Sequence, residues 1–194
     1  DESNRLIDMV ENILELSRLE EKAVEQTFHP VGLAAVAEAV IRRLEPVAAA
    51  RQVKLSLDAP GAGPEISGDP ALLEELLYNL CDNAIKYNKE GGKVTIRLWE
   101  EGGQSLLSVA DTGIGIPEAD RPNIFNRFYR VDKARSREHG GSGLGLSIVH
   151  DAAALYGGVV TVDGVEPHGT RFTVTFPRAA ASGAPETQKE VPET

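Results

Sequence analysis

The chain has 194 residues, 41% of them hydrophobic and 26% charged, with a net charge of −10. That composition suits one globular domain with an appendage, and the acidic balance excludes nucleic acid as a general partner, because a phosphate backbone would be repelled. A single cysteine, Cys81, excludes an internal disulfide and fits a reducing compartment; no signal peptide is expected from the opening residues, and no apolar run reaches the roughly 20 residues a membrane span needs.

The first predicted element is a helix over residues 1–22. Leu6, Met9, Ile13 and Leu16 recur at steps of three and four, with Ile7, Val10 and Leu14 as a second stripe beside them. So broad an apolar face wants partner helices, as in a bundle. A second helix spans 33–50, with Val36, Val40, Leu44 and Val47 on one face. "VKLSL" (53–57) alternates as a strand, and a short strand is expected before Gly68. Asp69-Pro70 then supplies an N-cap acceptor and a first-turn proline for the helix "ALLEELLYNLCDNAIKY". "VTIRLWE", Gly102-Gly103 and "SLLSVAD" read as a β-hairpin, followed by a polar segment over 117–139. A helix over 143–156 and the strands "VVTVDG" and "TRFTVTF" complete the pattern, and the tail after Pro177 lacks apolar periodicity and is expected to be disordered. Together these elements predict one α/β domain of largely antiparallel strands with helices on one face, preceded by a helical stalk.

Four stretches carry chemistry. "GGSGLGLSIV" packs glycines at the start of a helix, where each costs about 1 kcal/mol relative to alanine inside the helix. It is not a P-loop, because no GxxxxGK[ST] occurs, and no strand directly precedes it as a dinucleotide fingerprint requires. Its physics is still that of an anion site, with bare backbone N–H groups at a helix N-terminus. "DTGIGIP" ends a strand with Asp111, whose carboxylate can accept from an exocyclic amine such as that of adenine, while its glycines let a ring approach the backbone. An ordinary Asx turn would leave the same trace. "NLCDNAIKY" puts Asn79, Asn83 and Lys86 on one helix face with Tyr87 beside them, opposite Leu73, Leu77, Leu80 and Ala84. Amide oxygens suit Mg²⁺ and a lysine suits phosphate, although a solvated face has the same pattern. "IFNRFYRVDKARSREHGG" sets Arg127, Arg130, Lys133, Arg135 and Arg137 before the glycines, with Phe125, Phe128 and Tyr129 as candidate anchors.

In order and spacing these stretches resemble the ATP-binding catalytic domain of bacterial sensor histidine kinases, within the ATPase superfamily that includes gyrase and Hsp90. "NLCDNAIKY" is similar to the N box, "DTGIGIP" to the G1 box, "IFNRFYRVD" to the F box, "GGSGLGLSIV" to the G2 box and "GTRFTVTFP" to the G3 element. The likeness covers roughly residues 31–178. "RLIDMVENILELSRLE" is similar, more loosely, to the second helix of the kinases' dimerisation and phosphotransfer domain. The resemblance implies an α+β, two-layer sandwich of the Bergerat type with a mixed, largely antiparallel sheet. It divides the chain into a stalk remnant over 1–27, the ATP-binding domain over 28–178 and a tail over 179–194.

The resemblance also implies roles. Asp111 would accept from the adenine amino group, with Gly113, Gly115 and Ile116 shaping the pocket, Tyr87 packing near the base and Thr170 nearby. Asn83 would hold Mg²⁺, and Asn79 would help position metal and phosphate. Catalytic duties would fall to Asn79, Lys86 and Arg130, the last two neutralising phosphate charge. The backbone of Gly141, Ser142, Gly143, Leu144, Gly145 and Leu146 would close over the phosphates, under a mobile lid over 118–140. Related ATPases that activate water commonly carry glutamate where this chain has Asn79; an amide is a poor base, so spontaneous hydrolysis should be slow. Implied partners are ATP, a response-regulator receiver domain and a second copy of the chain through the stalk, in a cytoplasmic portion of a membrane-anchored sensor.

The four histidines depart from the pattern. None of the four, neither His29 in the linker stretch "TFHPV" nor His139, His150 and His168, lies in an S/T-H-[ED]-L-R-T-P run, so the phosphoacceptor is expected outside this sequence, which reads as a truncation. Asn126 and His139 stand where many relatives have Glu and Gln. An anti-sigma-factor-type serine kinase and a degenerate nucleotide-binding module are the competing readings; the stalk and "FYRVDKARS" oppose the first, and four intact boxes the second.

Overall fold

A computed structural model of the chain describes residues 29–131 and 142–177. The stalk, the tail, Gly141 and the lid residues Lys133, Arg135, Arg137 and His139 lie outside those residues. Within them the order is β1 (His29–Gly32), α1 (Leu33–Ala50), β2 (Lys54–Asp58), β3 (Glu65–Gly68), α2 (Pro70–Lys86), β4 (Lys93–Glu101), β5 (Gln104–Asp111), α3 (Gly145–Leu155), β6 (Val159–Gly164) and β7 (Thr170–Pro177). The main sheet has five strands in the order β2-β4-β5-β7-β6. Only β2 and β4 pair in parallel, so the sheet is mixed and largely antiparallel, as expected.

Period-two alternation decides which face is buried. Val94, Ile96 and Leu98 of β4 face inward, and the register sets them opposite Asp111, Val109 and Leu107 of β5. Phe172, Val174 and Phe176 of β7 continue the same face. All three helices cover it: α2 lies between α1 and α3, with Leu73, Leu76, Leu77, Leu80 and Ala84 sealed in the core. The other sheet face stays wet. There Arg97 lies over the Trp99 ring at 5.2 Å, and Ser56 Oγ donates to Thr95 Oγ1 at 3.1 Å.

Helix α2 begins as its sequence dictates. Asp69 Oδ1 accepts from the backbone N–H of Ala71 at 2.8 Å, ahead of which Pro70 occupies the first helical position. At the other end, Asn88 Nδ2 donates to Ala84 O and Lys93 O, and Thr112 Oγ1 donates to Asn88 Oδ1. This knot fixes the C-terminus of α2 against the end of β5.

Three expectations need correction. Val47 is 40% exposed, because the buried stripe of α1 steps from Leu44 to Ala48. The helix expected from Gly143 starts at Gly145, since Gly143 has φ +78° and stands outside it. His29 lies in β1 rather than in a linker: His29–Gly32 pairs antiparallel with β3.

Candidate nucleotide site

Asp111 closes β5 and is 8% exposed. Its Oδ1 accepts from the N–H of Gly113 at 2.8 Å and of Thr170 at 3.2 Å. Oδ2 has no partner among the described residues. Burial pushes this carboxyl above its ordinary range, and the two backbone N–H groups pull it partway back. A buried carboxylate with one unused oxygen is an acceptor held ready for a donor from outside.

Glycines make the surrounding loop possible. A Cβ on Gly113 would run into Tyr87 O, which accepts from Ile114 N at 3.2 Å. Gly115 lies against Gly169 O, and Gly169 backs onto Asp111 O. Thr170 is buried, and Ile116 packs against the core. The G1 stretch, the end of α2 and the start of β7 thus meet around one carboxylate.

The polar face of α2 runs from there toward α3. Asn83 is half-buried, and its amide has no partner among the described residues. Asn79 Nδ2 donates to both Glu75 O and Glu75 Oε1 at 2.9 Å. Asn79 Oδ1 faces the other way and lies 2.7 Å from where a Cβ on Gly145 would stand. Lys86 is engaged inside the helix: its Nζ pairs with Asp82 Oδ2 at 2.6 Å. Tyr87 caps the helix.

Helix α3 supplies the third wall. No side chain caps it and its first turn holds no acid; Leu144, its fully buried N-cap, donates its N–H to Ser142 Oγ at 3.2 Å. The N–H groups of Gly145, Leu146 and Ser147 have no partner among the described residues, which leaves the positive end of the helix open to an anion. The first half of the predicted lid is anchored rather than loose. Ile124 is buried, Phe125 packs on His150 and Phe172 at centroid distances of 5.7 and 6.3 Å, and Tyr129 donates to Asp120 at 2.6 Å. Arg127 pairs with Asp151 at 3.2 Å, and Phe128 N donates to Gly143 O at 2.8 Å. Arg130 is half-buried without an ion pair among the described residues.

Apart from Arg130, whose side chain meets none of them through a hydrogen bond or ion pair among the described residues, the described site residues lie along one tract, from Asp111 along α2 to the mouth of α3. Lys86 is the member whose charge is already spent on a neighbour. The sequence reading missed Glu75 and Gly169. Glu75 was legible as the residue four before Asn79 on the same helix face; Gly169 announces itself only through its tertiary neighbours.

A two-layer sandwich whose sheet ends in a buried carboxylate, beside an uncapped glycine-led helix, defines a class of nucleotide-binding ATPase. The chain belongs to the family described as histidine kinase-, DNA gyrase B- and HSP90-like ATPases, whose profile matches residues 68–180. Among curated proteins it is 38% identical to the sensor-like histidine kinase SenX3 of Mycolicibacterium smegmatis, over 91% of this chain and 46% of that protein. It is 36% identical to the sensor histidine kinase WalK of Bacillus subtilis, over 91% of this chain and 29% of that protein. The chain thus spans less than half the length of these relatives. Among solved structures it is similar to full-length ShkA in complex with AMPPNP, with a TM-score of 0.78 and 31% identity over 94% of this chain and 38% of that one. Among the described residues no helix is long and apolar enough to cross a membrane.

Proposed function

We propose that residues 28–178 are the ATP-binding core of a two-component sensor histidine kinase. The observation that carries this reading is the unused Oδ2 of buried Asp111, at one end of a tract whose other end is the open N-terminus of α3. The first suits the amine of adenine and the second a polyphosphate. Asp111 orients the base, Gly113 and Gly115 let it approach, and Tyr87, Ile116 and Thr170 border it. The backbone from Gly141 through Ser142, Gly143, Leu144, Gly145 and Leu146 receives the phosphates.

The residues present fit Mg²⁺ that arrives with the nucleotide. Among the described residues no group of three or more His, Cys, Asp or Glu could hold a resident metal. The unpartnered amide of Asn83 and the Oδ1 of Asn79 are the donors such an ion would use. When bound, Mg²⁺ supplies charge neutralisation on the phosphates. Arg130 adds a cation, and Lys86 does so once it leaves Asp82. No carboxylate stands where Asn79 does to activate water, which favours keeping the γ-phosphoryl group for transfer. The phosphoryl group would pass to a histidine on an acceptor helix of the intact protein, then to an aspartate of a response-regulator receiver domain. Residues 1–27 would belong to the dimerising stalk of that protein, in the cytoplasmic part of a membrane-anchored sensor, with residues 179–194 as a tail.

This chain alone should bind ATP without phosphorylating itself. Transfer needs a nucleophile in line and within about 3–3.5 Å of the γ-phosphate, and His150, the described histidine nearest the mouth of α3, packs on Phe125 and lies 3.4 Å from Asp151. Incubation with radiolabelled ATP and Mg²⁺ checks both halves. Acid-labile label on an acceptor-helix domain added in trans is the expected result; label on a histidine of this chain alone would overturn the reading.

A further inference from the structure

We propose that Glu75 is a positioning residue for Mg²⁺-nucleotide binding: it turns the Asn79 amide so that an oxygen, not an N–H, faces the mouth of α3. The inference rests on the nucleotide reading of the site and names a residue that reading does not use. An asparagine side chain has two donor hydrogens on nitrogen and an acceptor oxygen. Both donors of Asn79 are spent on Glu75, one on its backbone carbonyl and one on Oε1, each at 2.9 Å. Rotating the amide by half a turn would set Oδ1 against those two oxygens and leave its donors among the open N–H groups of α3. The carboxylate of Glu75 therefore locks a single orientation.

What the lock presents is an acceptor. Asn79 Oδ1 sits against Gly145, where only glycine leaves it room, since an added Cβ would stand 2.7 Å away. One helical turn further, Asn83 offers an amide with no partner among the described residues. Two oxygens on one helix face, a turn apart, suit a hard cation carried by a polyphosphate; an amide N–H there would repel it. Backbone geometry alone does not enforce this, because the carbonyl of Glu75 occupies just one of the two donors.

Calorimetric titration of ADP into the full chain, in Mg²⁺ and in EDTA, tests the assignment. Glu75→Leu should weaken ADP binding about tenfold in Mg²⁺, the lower range for losing a ligand's orienting partner, and leave binding in EDTA unchanged. Glu75→Gln keeps an acceptor oxygen and should stay near wild type. Glu75→Lys, whose ammonium attracts Oδ1 and turns the amide round, should abolish the gain from Mg²⁺ and serves also if the leucine variant does not fold. An equal loss in Mg²⁺ and in EDTA, no loss at all, or a glutamine variant as impaired as the leucine one would overturn the inference. Asp111→Asn, titrated in parallel, separates the two levels. Weakened binding there without an effect at Glu75 removes this inference alone, whereas unchanged binding there removes the nucleotide reading and this inference with it.

Discussion

Asp111→Asn is expected to weaken ATP and ADP binding roughly ten- to a hundredfold, or about 1–3 kcal/mol, while the nucleotide-free protein becomes no less stable. Both halves come from one carboxylate. Its Oδ1 accepts from Gly113 N and Thr170 N, and an asparagine oxygen can do the same. Its Oδ2 would become an amide nitrogen, a donor facing the donor of adenine. The stability half follows from the direction of the shift. Burial raises this carboxyl above its ordinary 3.8, so the folded chain holds the proton to higher pH than the unfolded chain does. Stability therefore falls as pH rises from the unfolded value through the folded one, and at neutral pH the charge opposes folding. Neutral asparagine removes that opposition. Nucleotide affinity of the wild type should decline as pH falls through the raised range, because a protonated Oδ2 also becomes a donor. Calorimetry with thermal melts decides the matter: unchanged affinity, or a large loss of melting temperature, would refute the assignment.

Local signals made α2 legible from its first residue to its last. Asp69-Pro70 fixes the start, apolar steps of three and four fix the buried face, and both are written within a few residues of where they act. The β4–β5 hairpin and the alternation of β7 are equally local. What escaped depends on distant partners. The four residues of β1 carry no alternation and become a strand only by pairing with Glu65–Gly68. Anchoring of 117–131 rests on Phe125 reaching Phe172, and Ile124 is buried although Asp120, Arg121 and Asn123 precede it. Even the local pair Asp82–Lys86 was passed over. A lysine near a phosphate-like motif invites a functional role, yet its i−4 carboxylate offers a partner at once. In the site, residue types foretold the donors and acceptors, but not which were already satisfied.

Gly169→Ala is expected to cost about 2–4 kcal/mol of stability and to lower nucleotide affinity through Asp111, although Gly169 offers no side chain to a ligand. Two independent penalties combine there. The residue has φ +144°, a backbone region that side chains rarely adopt, and an added Cβ would collide with the carbonyl oxygen of Asp111. That carbonyl is backbone at the end of a central strand, so relief must come from moving the G1 loop or the start of β7. Either movement pulls Thr170 N from Asp111 Oδ1, a contact already at 3.2 Å. The carboxylate then loses an N–H group that favours its charge, and its pocket oxygen loses its aim. Comparison with Gly102→Ala controls for glycine as such: Gly102 also has positive φ, at +58°, but nothing lies within 4 Å of its Cβ position in the hairpin turn. Denaturant unfolding should rank the two variants with Gly169→Ala far below, and ADP titration should find affinity reduced in that variant alone. Equal unfolding midpoints, or an unstable Gly169→Ala protein that still binds ADP as tightly as wild type, would show that β7 does not brace the carboxylate.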